Sequence, residues 1–226
     1  MQNNVSVTVY HNCAVKLQYN GEILLADFLS KGREPFDGIN KEVLNEVFSG
    51  EDGFKNVSCL IYTHSHPDHF DEKLNERYLK ENNVPLIIPQ SGSPRGGSFS
   101  VGAFKISFHA ICHSGEEYKD IVNYVYLVKM GEKSVYISGD ADFNSAEHAA
   151  FLNGFKPDIA LLNPFYLSAK RDIINEIGAK RTYIYHIPSK DDEFLIKSTA
   201  KAALNNNKEL NGRCFLIFKT PLKIML

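Results

Sequence analysis

In the segment Thr63–Lys73, THSHPDHFDEK, the six residues 64–69 place three histidines and an aspartate close together in the chain. Imidazole and carboxylate groups are costly to bury without a partner, so a buried cluster of them is expected to bind something. The short apolar run VSCLIYT (57–63) before it predicts a buried strand. The residues DEKLNERYLKEN (71–82) after it predict a helix with Asp71 as the N-cap. The cluster is therefore expected between two rigid elements.

The side chains of this cluster can reach two neighbouring points. His64 and His66 are two residues apart, and Pro67 biases His66 toward extended backbone, so both imidazoles point the same way. Asp68 and His69 follow as the chain turns into the helix, and they can reach a second point. The positive end of that helix favours the neutral form of His69, which is the form that binds a metal.

Six residues cannot complete two metal sites, because zinc takes about four ligands per ion. We expect the missing ligands after strands, where a sheet holds them. His113 follows the strand pattern FHAIC, Asp140 follows SVYISG, and His186 lies late in the predicted strand RTYIYHI (181–187). These three residues are the candidates that complete the cluster.

Each of these candidates has a competitor or a second interpretation. His109 lies four residues before His113 in the same strand pattern, and Asp120 and Asp142 compete with Asp140. The position directly after a strand favours His113 and Asp140. His186 could instead be a histidine of the core.

Other polar residues carry weaker patterns. His148 lies in a helical pattern, which favours packing or surface exposure, and His11 could approach the site without binding a metal. Asp27 is expected to form structural hydrogen bonds rather than to bind a metal. An anionic substrate group could meet one of five side chains near predicted loops: Arg33, Arg95, Tyr166, Lys170 and Lys190.

Composition limits the class of protein. The chain has 226 residues, with 25 Lys and Arg against 27 Asp and Glu, and a net charge of −2. This balance argues against broad capture of nucleic acid. The four cysteines are scattered without a C-x-x-C pair, which argues against a disulfide framework or a thiolate zinc site. Without a leader-like N-terminus or an apolar run long enough to span a bilayer, the sequence predicts a cytoplasmic protein with no membrane partner.

The order of elements predicts an α/β fold. Strand hairpins dominate the first part, for example around Asn20 and Gly21, and strands alternate with helices in the last third. Residues 28–39 and 90–98 read as loops. No linker or low-complexity tract divides the chain, so we expect a single domain over residues 1–226.

The motif T-H-x-H-x-D-H after a strand, a later His before Ser-Gly, then GDAD, then a strand carrying His, resembles the metallo-β-lactamase superfamily. The resemblance runs in order over nearly the whole chain. It implies an α/β fold of the four-layer αββα sandwich type, with the site at one edge between the sheets. It also implies that one metal is held by His64, His66 and His113, that the other is held by Asp68, His69 and His186, and that Asp140 bridges them.

The activity implied by this resemblance is metal-dependent hydrolysis. A metal-bound hydroxide would attack a small ester, lactone or phosphodiester, with Asp68 and Asp140 orienting it. Histidine at position 66 suits two Zn²⁺ ions, whereas flavodiiron relatives carry glutamate there; Mn²⁺ or Fe²⁺ are alternatives. The segment YHNCAVKLQYNGEILLADF further resembles the branch that includes ascorbate-6-phosphate lactonase, although Phe28 stands where that branch has proline.

Two alternatives to the hydrolase remain open. One is a mononuclear iron oxygenase on the same scaffold, and the other is a metal-holding protein without turnover. The expected partner is a small-molecule substrate, and the sequence does not indicate the oligomeric state.

Overall fold

The computed structural model describes residues 5–51, 53–188 and 193–226. Lys190, and Asp192 at the start of the last predicted helix, lie outside the described residues. The strands are β1 (Ser6–Val9), β2 (Val15–Tyr19), β3 (Glu22–Ala26), β4 (Gly32–Arg33), β5 (Phe36–Asp37), β6 (Val57–Ile61), β7 (Leu86–Ile87), β8 (Gly96–Val101), β9 (Phe104–Cys112), β10 (Val122–Met130), β11 (Lys133–Ile137), β12 (Ile159–Leu162), β13 (Arg181–Ile184), β14 (Cys214–Leu216) and β15 (Leu222–Met225). The helices are α1 (Lys41–Ser49), α2 (Glu72–Glu81), α3 (Glu147–Leu152), α4 (Ile173–Ile177) and α5 (Glu193–Glu209), with 3₁₀ turns at Glu116–Tyr118 and Pro164–Ser168.

Most of these strands form two mixed sheets. The first sheet has the order β15-β1-β2-β3-β6-β7, and the second has the order β14-β13-β12-β11-β10-β9-β8. In each sheet the strands from predicted hairpins pair antiparallel, and the strands joined through helices, such as β12 and β13, pair parallel. This is the expected result, because parallel strands need a long crossover connection.

The two sheets pack face to face, with helices on both outer faces. Alternation along the strands explains this: Leu24 and Ile61 face the inner core, whereas Leu25 and Leu60 face outward. Helices α1 and α2 cover the outer face of the first sheet, and α3, α4 and α5 cover the outer face of the second. The predicted α/β fold with four αββα layers is confirmed.

Several local predictions were wrong. The predicted loop 28–39 contains the hairpin of β4 and β5, and β8 begins inside the predicted loop 90–98. The predicted strand 181–187 ends at Ile184, so His186 lies beyond it, with a positive φ of 54°. Strand β15 was not predicted; it pairs antiparallel with β1 and places Ile224 opposite Val7.

None of the described helices combines the length and the apolar character needed to cross a bilayer.

Candidate metal centre

The candidate site lies at the edge of the sandwich where several strands end. The histidine cluster follows β6, His113 follows β9, Asp140 follows β11, and His186 follows β13. These strands run in the same direction within their sheets, so their carboxyl ends meet at one edge. Ligands of open α/β sheets bind in this position.

His64, His66 and His113 form the first set of metal-binding atoms. Their candidate ligand atoms all lie within 4.8 Å of one another. His64 Nε2 is 3.1 Å from His66 Nδ1, and the His113 ring packs edge-on against both rings. Zinc–nitrogen bonds of about 2.0–2.1 Å separate neighbouring ligand atoms by roughly 3 Å. The spacing of this set therefore fits one ion.

Asp68, His69 and His186 form the second set, also with ligand atoms within 4.8 Å of one another. The Nε2 atoms of His69 and His186 are 3.1 Å apart. Asp68 Oδ2 lies 3.8 Å from His69 Nε2 and 3.5 Å from His186 Nε2. All three side chains are buried, so their polar atoms need a partner inside the protein.

Asp140 lies between the two sets. Its Oδ2 atom is 3.9 Å from His64 Nε2 and 3.6 Å from His113 Nε2, both in the first set. The same oxygen is 3.5 Å from His69 Nε2 and 3.3 Å from His186 Nε2, both in the second set. One carboxylate oxygen thus faces four imidazole nitrogens.

Hydrogen bonds behind the first set determine which nitrogens face the centre. His113 Nδ1 donates to the Ser114 carbonyl at 2.6 Å, so Nε2 keeps its lone pair, and this buried atom has no hydrogen-bond partner in the described structure. The Thr63 hydroxyl donates to Asp27 at 2.8 Å, so it accepts from His64 Nδ1 at 3.1 Å, which leaves the lone pair on His64 Nε2. Lone pairs that converge on one point need a cation, so these residues fit a metal.

Asp27 orients a histidine of the second set in the same way, through a hydrogen bond to the ring nitrogen that faces away from the centre. Its Oδ2 atom accepts from His69 Nδ1 at 3.0 Å, and its Oδ1 atom accepts from the Thr63 backbone N–H at 2.7 Å. Both Asp27 and His69 are fully buried. A carboxylate behind a ligating histidine fixes the ring and raises its basicity. The sequence prediction of Asp27 as a hydrogen-bonding residue agrees with these contacts.

The protonation states favour cation binding. Burial lowers the pKa of His64 well below its usual value, and it lowers the pKa of His66 to about 4. Burial acts in the same direction on His69, but the interactions with Cys13, Asp27 and Asp140 outweigh it and raise that pKa well above its usual range, contrary to the neutral form expected from the sequence. Burial would raise the pKa of Asp140, yet the neighbouring histidines hold it well below its usual value. The Asp140 carboxylate is therefore ionised and the His64 and His66 imidazoles are neutral, and a metal would displace the His69 proton.

One glycine and two asparagine side chains hold Asp140 in place. A Cβ atom on Gly139 would lie 2.5 Å from Thr63 Cβ and 2.6 Å from Asn123 Oδ1, so only glycine allows this approach of the two sheets. The Asn123 side chain accepts from the Asp140 N–H at 3.0 Å. Asn163 Nδ2 donates to the second carboxylate oxygen of Asp140 at 3.3 Å. The contact of Asn163 with Asp140 was not predicted, although a polar residue directly after a buried strand is a usable signal.

The turn at His11–Cys13 supports the second set from the first sheet. Asn12 Nδ2 donates to the Asp68 carbonyl at 3.1 Å, and the Asn12 carbonyl accepts from the His186 N–H at 3.2 Å. His11 itself contacts the Asn40 side chain instead of the cluster. Sequence reasoning considered His11 and missed Asn12, the residue that makes the contacts.

The competing residues lie elsewhere. His109 Nε2 bonds Glu147 at 2.9 Å. His148 is buried between Tyr136 and the Asp142 backbone carbonyl, at 2.6 and 2.9 Å. Neither histidine, nor Asp142 or Asp120, belongs to any of the candidate metal clusters among the described residues.

A cavity of about 260 Å³ opens onto the cluster. Its wall includes Arg33, one of the five side chains that could meet an anionic group, and Phe165. Tyr166, another of these five side chains, is buried, and its hydroxyl faces His148 at 3.1 Å. Arg95 is directed to Glu147 instead of the cavity, and Lys170 is not part of the described wall.

No family model and no curated protein matches the chain. Solved structures do match. The chain aligns over 100% of its length with CmlA, a diiron β-hydroxylase from Streptomyces venezuelae, at 13% identity and a TM-score of 0.70. It spans only 54% of the CmlA chain.

Two further structures match over nearly their whole length. YhfI from Bacillus subtilis, a metallo-β-lactamase fold protein, aligns with 99% of this chain and 100% of its own at 15% identity and a TM-score of 0.64. A possible metal-dependent hydrolase from Veillonella parvula aligns with 98% of this chain and 99% of its own at 15% identity and a TM-score of 0.68. At such identities the likeness shows the fold. The protein therefore has the metallo-β-lactamase fold, and its His and Asp clusters support a metal cofactor.

Proposed function

We propose that the protein is a metal-dependent hydrolase with a dinuclear centre. The observation that carries this proposal is the position of Asp140 Oδ2, 3.3 to 3.9 Å from imidazole nitrogens of both sets. A carboxylate that only neutralised one histidine would not need contacts with four. In this proposal His64, His66 and His113 hold one ion, Asp68, His69 and His186 hold the other, and Asp140 is shared.

The residues around the ions have separate tasks. Bound divalent ions would supply an activated water near neutral pH and would polarise the oxygen of the scissile bond. Asp68 and Asp140 lie on the wall of the cavity, where they can accept hydrogen bonds from the attacking water and orient it. Asn163 and Asn12 hold these two aspartates through hydrogen bonds. The positioned groups contribute mainly through pre-organisation.

Finer features belong to the same proposal. We assign Zn²⁺ as the metal because imidazoles outnumber carboxylates among the donors, a set that suits zinc. The cavity fits a small molecule with an ester, lactone or phosphodiester bond, and the lactonase branch remains one candidate. The wall carries a single cation, Arg33, among its described residues, which does not favour a nucleic acid substrate. We treat residues 1–226 as one catalytic domain of a cytoplasmic protein.

Metal stoichiometry and hydrolysis test this function together. The purified protein is stripped with chelator, reloaded with Zn²⁺ and analysed for elemental content. We expect two ions per chain and hydrolysis of at least one class in a panel of lactones, thioesters and bis-p-nitrophenyl phosphate. Asp140→Asn should lose one ion or both, together with activity.

Asp142→Asn is the matched control, because Asp142 lies in the same loop but its side chain bonds only the Asn144 N–H within the described structure. This variant should keep both ions. One tightly bound iron with oxygen consumption would instead identify the oxygenase alternative. Two ions without turnover on any class would favour the metal-holding alternative, and no bound ion would overturn the proposal.

A further inference from the structure

The hairpin of β4 and β5 forms a fixed rim over the candidate centre. A Cβ atom on Gly32 would lie 2.2 Å from the Gly38 nitrogen, and one on Gly38 would lie 2.2 Å from the Lys31 carbonyl carbon, so the base of the hairpin closes on two glycines. Lys31 Nζ pairs with Asp71 at 2.8 Å at the start of α2. At the other end the Phe36 ring packs edge-on against His186, with centroids 4.1 Å apart. The hairpin is therefore anchored beside the cluster.

This hairpin places Arg33 above an aromatic ring that touches the first histidine set. The guanidinium carbon of Arg33 is 6.0 Å from the Tyr118 ring centroid. The Tyr118 ring in turn packs edge-on against His66 and His113, at 4.9 and 5.0 Å. A guanidinium over a ring keeps its N–H donors in the plane free for a ligand.

Arg33 is available for such a ligand. Within the described structure its side chain makes no ion pair within 4.0 Å and no hydrogen bond. It is also the only cation among the described residues that line the cavity, which otherwise carries the carboxylates of Glu34, Asp68 and Asp140. An arginine fork matches the geometry of a carboxylate or a phosphate.

Part of the wall is apolar. Pro164, Phe165 and Leu195 line the cavity there, and Phe165 is 51% exposed although it stacks on Phe143 at 5.9 Å. An exposed aromatic side chain beside a cavity suits contact with an apolar part of a ligand. The cavity wall thus combines one cation, an apolar part and the candidate metal centre.

We propose that the protein acts on esters whose acyl chain ends in a second oxyanion, and that Arg33 selects this substrate class by pairing with that anion. The inference rests on the proposed hydrolase. The scissile carbonyl lies at the centre, the hydrocarbon chain lies along the Phe165 side, and the terminal anion reaches the guanidinium. The selecting charge is a carboxylate or a phosphate, which share the same pairing with arginine.

Two esters of equal chain length test this selection. Mono-p-nitrophenyl glutarate carries a carboxylate where p-nitrophenyl valerate carries a methyl group. With the Zn²⁺-loaded protein we expect kcat/KM for the glutarate ester to exceed that for the valerate ester by about 10-fold or more, the range of a charge-assisted pair. The Arg33→Met variant should lose this preference, so that the ratio of kcat/KM for the two esters falls to about 1, and Arg33→Lys should keep part of it.

Arg77→Met is the matched control. Arg77 also sits over an aromatic ring, 4.3 Å from the centroid of Phe48, but on α2 and away from the cavity wall. The Arg77→Met variant removes the same charge and should leave the preference for the glutarate ester unchanged. A loss of preference in this variant would show a long-range effect of net charge and would overturn the role of Arg33.

A binding measurement separates this inference from the hydrolase itself. Calorimetry on the Zn²⁺-loaded protein compares glutarate, valerate and 4-phosphonobutyrate, which share one carboxylate and differ at the other end. Tighter binding of glutarate or of the phosphonate, lost in Arg33→Met, supports the inference even if neither ester turns over, and the tighter of the two identifies the anion. Equal binding of all three by metal-loaded protein overturns the inference and leaves the metal centre intact. Failure to take up metal overturns both proposals.

Discussion

Gly139 shows how a single missing side chain positions the candidate centre. Its φ of 53° and its contacts with Thr63 and Asn123 leave no room for a Cβ atom. Thr63 follows β6 of the first sheet, and Asn123 lies in β10 of the second. The next residue is Asp140, which faces both sets of histidines. The approach of the two sheets and the position of the shared carboxylate therefore depend on the same residue.

We expect Gly139→Ala to weaken metal binding by at least about 10-fold, in the range found when groups that orient metal ligands are lost. The added methyl group must push Thr63 or the Asp140 loop away. Zn²⁺ affinity is measured by competition with a chromophoric chelator. Gly154→Ala is the control, because Gly154 also has a positive φ, 79°, but nothing within 4 Å of the added atom. It should lose about 1 kcal/mol of stability from backbone strain and keep its metal affinity. Equal affinities in both variants would refute the role of the close approach.

At this scale the sequence reveals the cluster but not its support. His64, His66, Asp68 and His69 are neighbours in the chain, so their spacing alone brings them together. The groups that orient them, such as Asp27 behind His69, come from distant segments. A single sequence carries no signal of such long-range pairs, because the contacts exist only after the sheets have paired.

Helix α3 is attached to the Asp140 loop through His148. Tyr136 of β11 donates to His148 Nδ1 at 2.6 Å, and His148 Nε2 donates to the Asp142 carbonyl at 2.9 Å. The imidazole is fully buried, and burial lowers its pKa to about 4. It therefore folds in the neutral form, whereas the unfolded chain binds a proton near pH 6.5.

The sign of the resulting pH dependence follows from this difference. The folded pKa is depressed, so between about pH 6.5 and pH 4 the unfolded state binds more protons, and stability falls as the pH falls. For this one group the loss between pH 7 and pH 5 is about 2 kcal/mol. We expect the stability of His148→Gln to change less over this interval than that of the wild type, as measured by urea unfolding at both pH values. An unchanged pH dependence in the variant would show that His148 is not the group that titrates.

Strand β15 closes the first sheet next to β1. Ile224 is 5% exposed and belongs to the core between the sheets, while its neighbour Met225 is 51% exposed. Ile224→Ala should cost about 2–4 kcal/mol, the range for removing a buried aliphatic side chain. Met225→Ala should cost less than about 0.5 kcal/mol. Denaturant unfolding of both variants tests the register of β15 against β1, and equal losses of stability in the two variants would contradict that register.

The missed elements share a physical cause. The long apolar patterns of β9 and β10 predict their strands because period and burial agree. Strand β15 alternates over only four residues, and β4 and β5 have two residues each. The local pattern of such short segments is weak, so pairing with the partner strand determines whether they form strands. Beyond the end of β13, the His186 N–H likewise bonds the carbonyl of Asn12, a distant residue that the local sequence does not indicate.

In the molecule as a whole, the candidate centre ties the two sheets together. One part of each donor set follows β6 in the first sheet, and the other part follows β9, β11 or β13 in the second. Direct hydrogen bonds also join the sheets at this edge, such as the one from the Tyr124 N–H to the Thr63 carbonyl at 2.7 Å. Ions held by both sheets would therefore act as a cross-link across the sandwich.

This arrangement predicts that metal removal lowers the stability of the whole fold rather than that of one loop. An ion that binds only the folded chain stabilises it by about 4 kcal/mol at a concentration 1,000 times its Kd, or roughly 10 °C in Tm for a chain of this size. We expect chelator to lower the single unfolding transition by about this amount and Zn²⁺ to restore it. Asp142→Asn should respond like the wild type, and Asp140→Asn should lose most of the shift, because Asp140 faces donors that follow strands of both sheets. If the Tm changes with neither chelator nor Zn²⁺, or if the Tm shift persists in Asp140→Asn, then the stability of the two sheets does not depend on a shared metal centre.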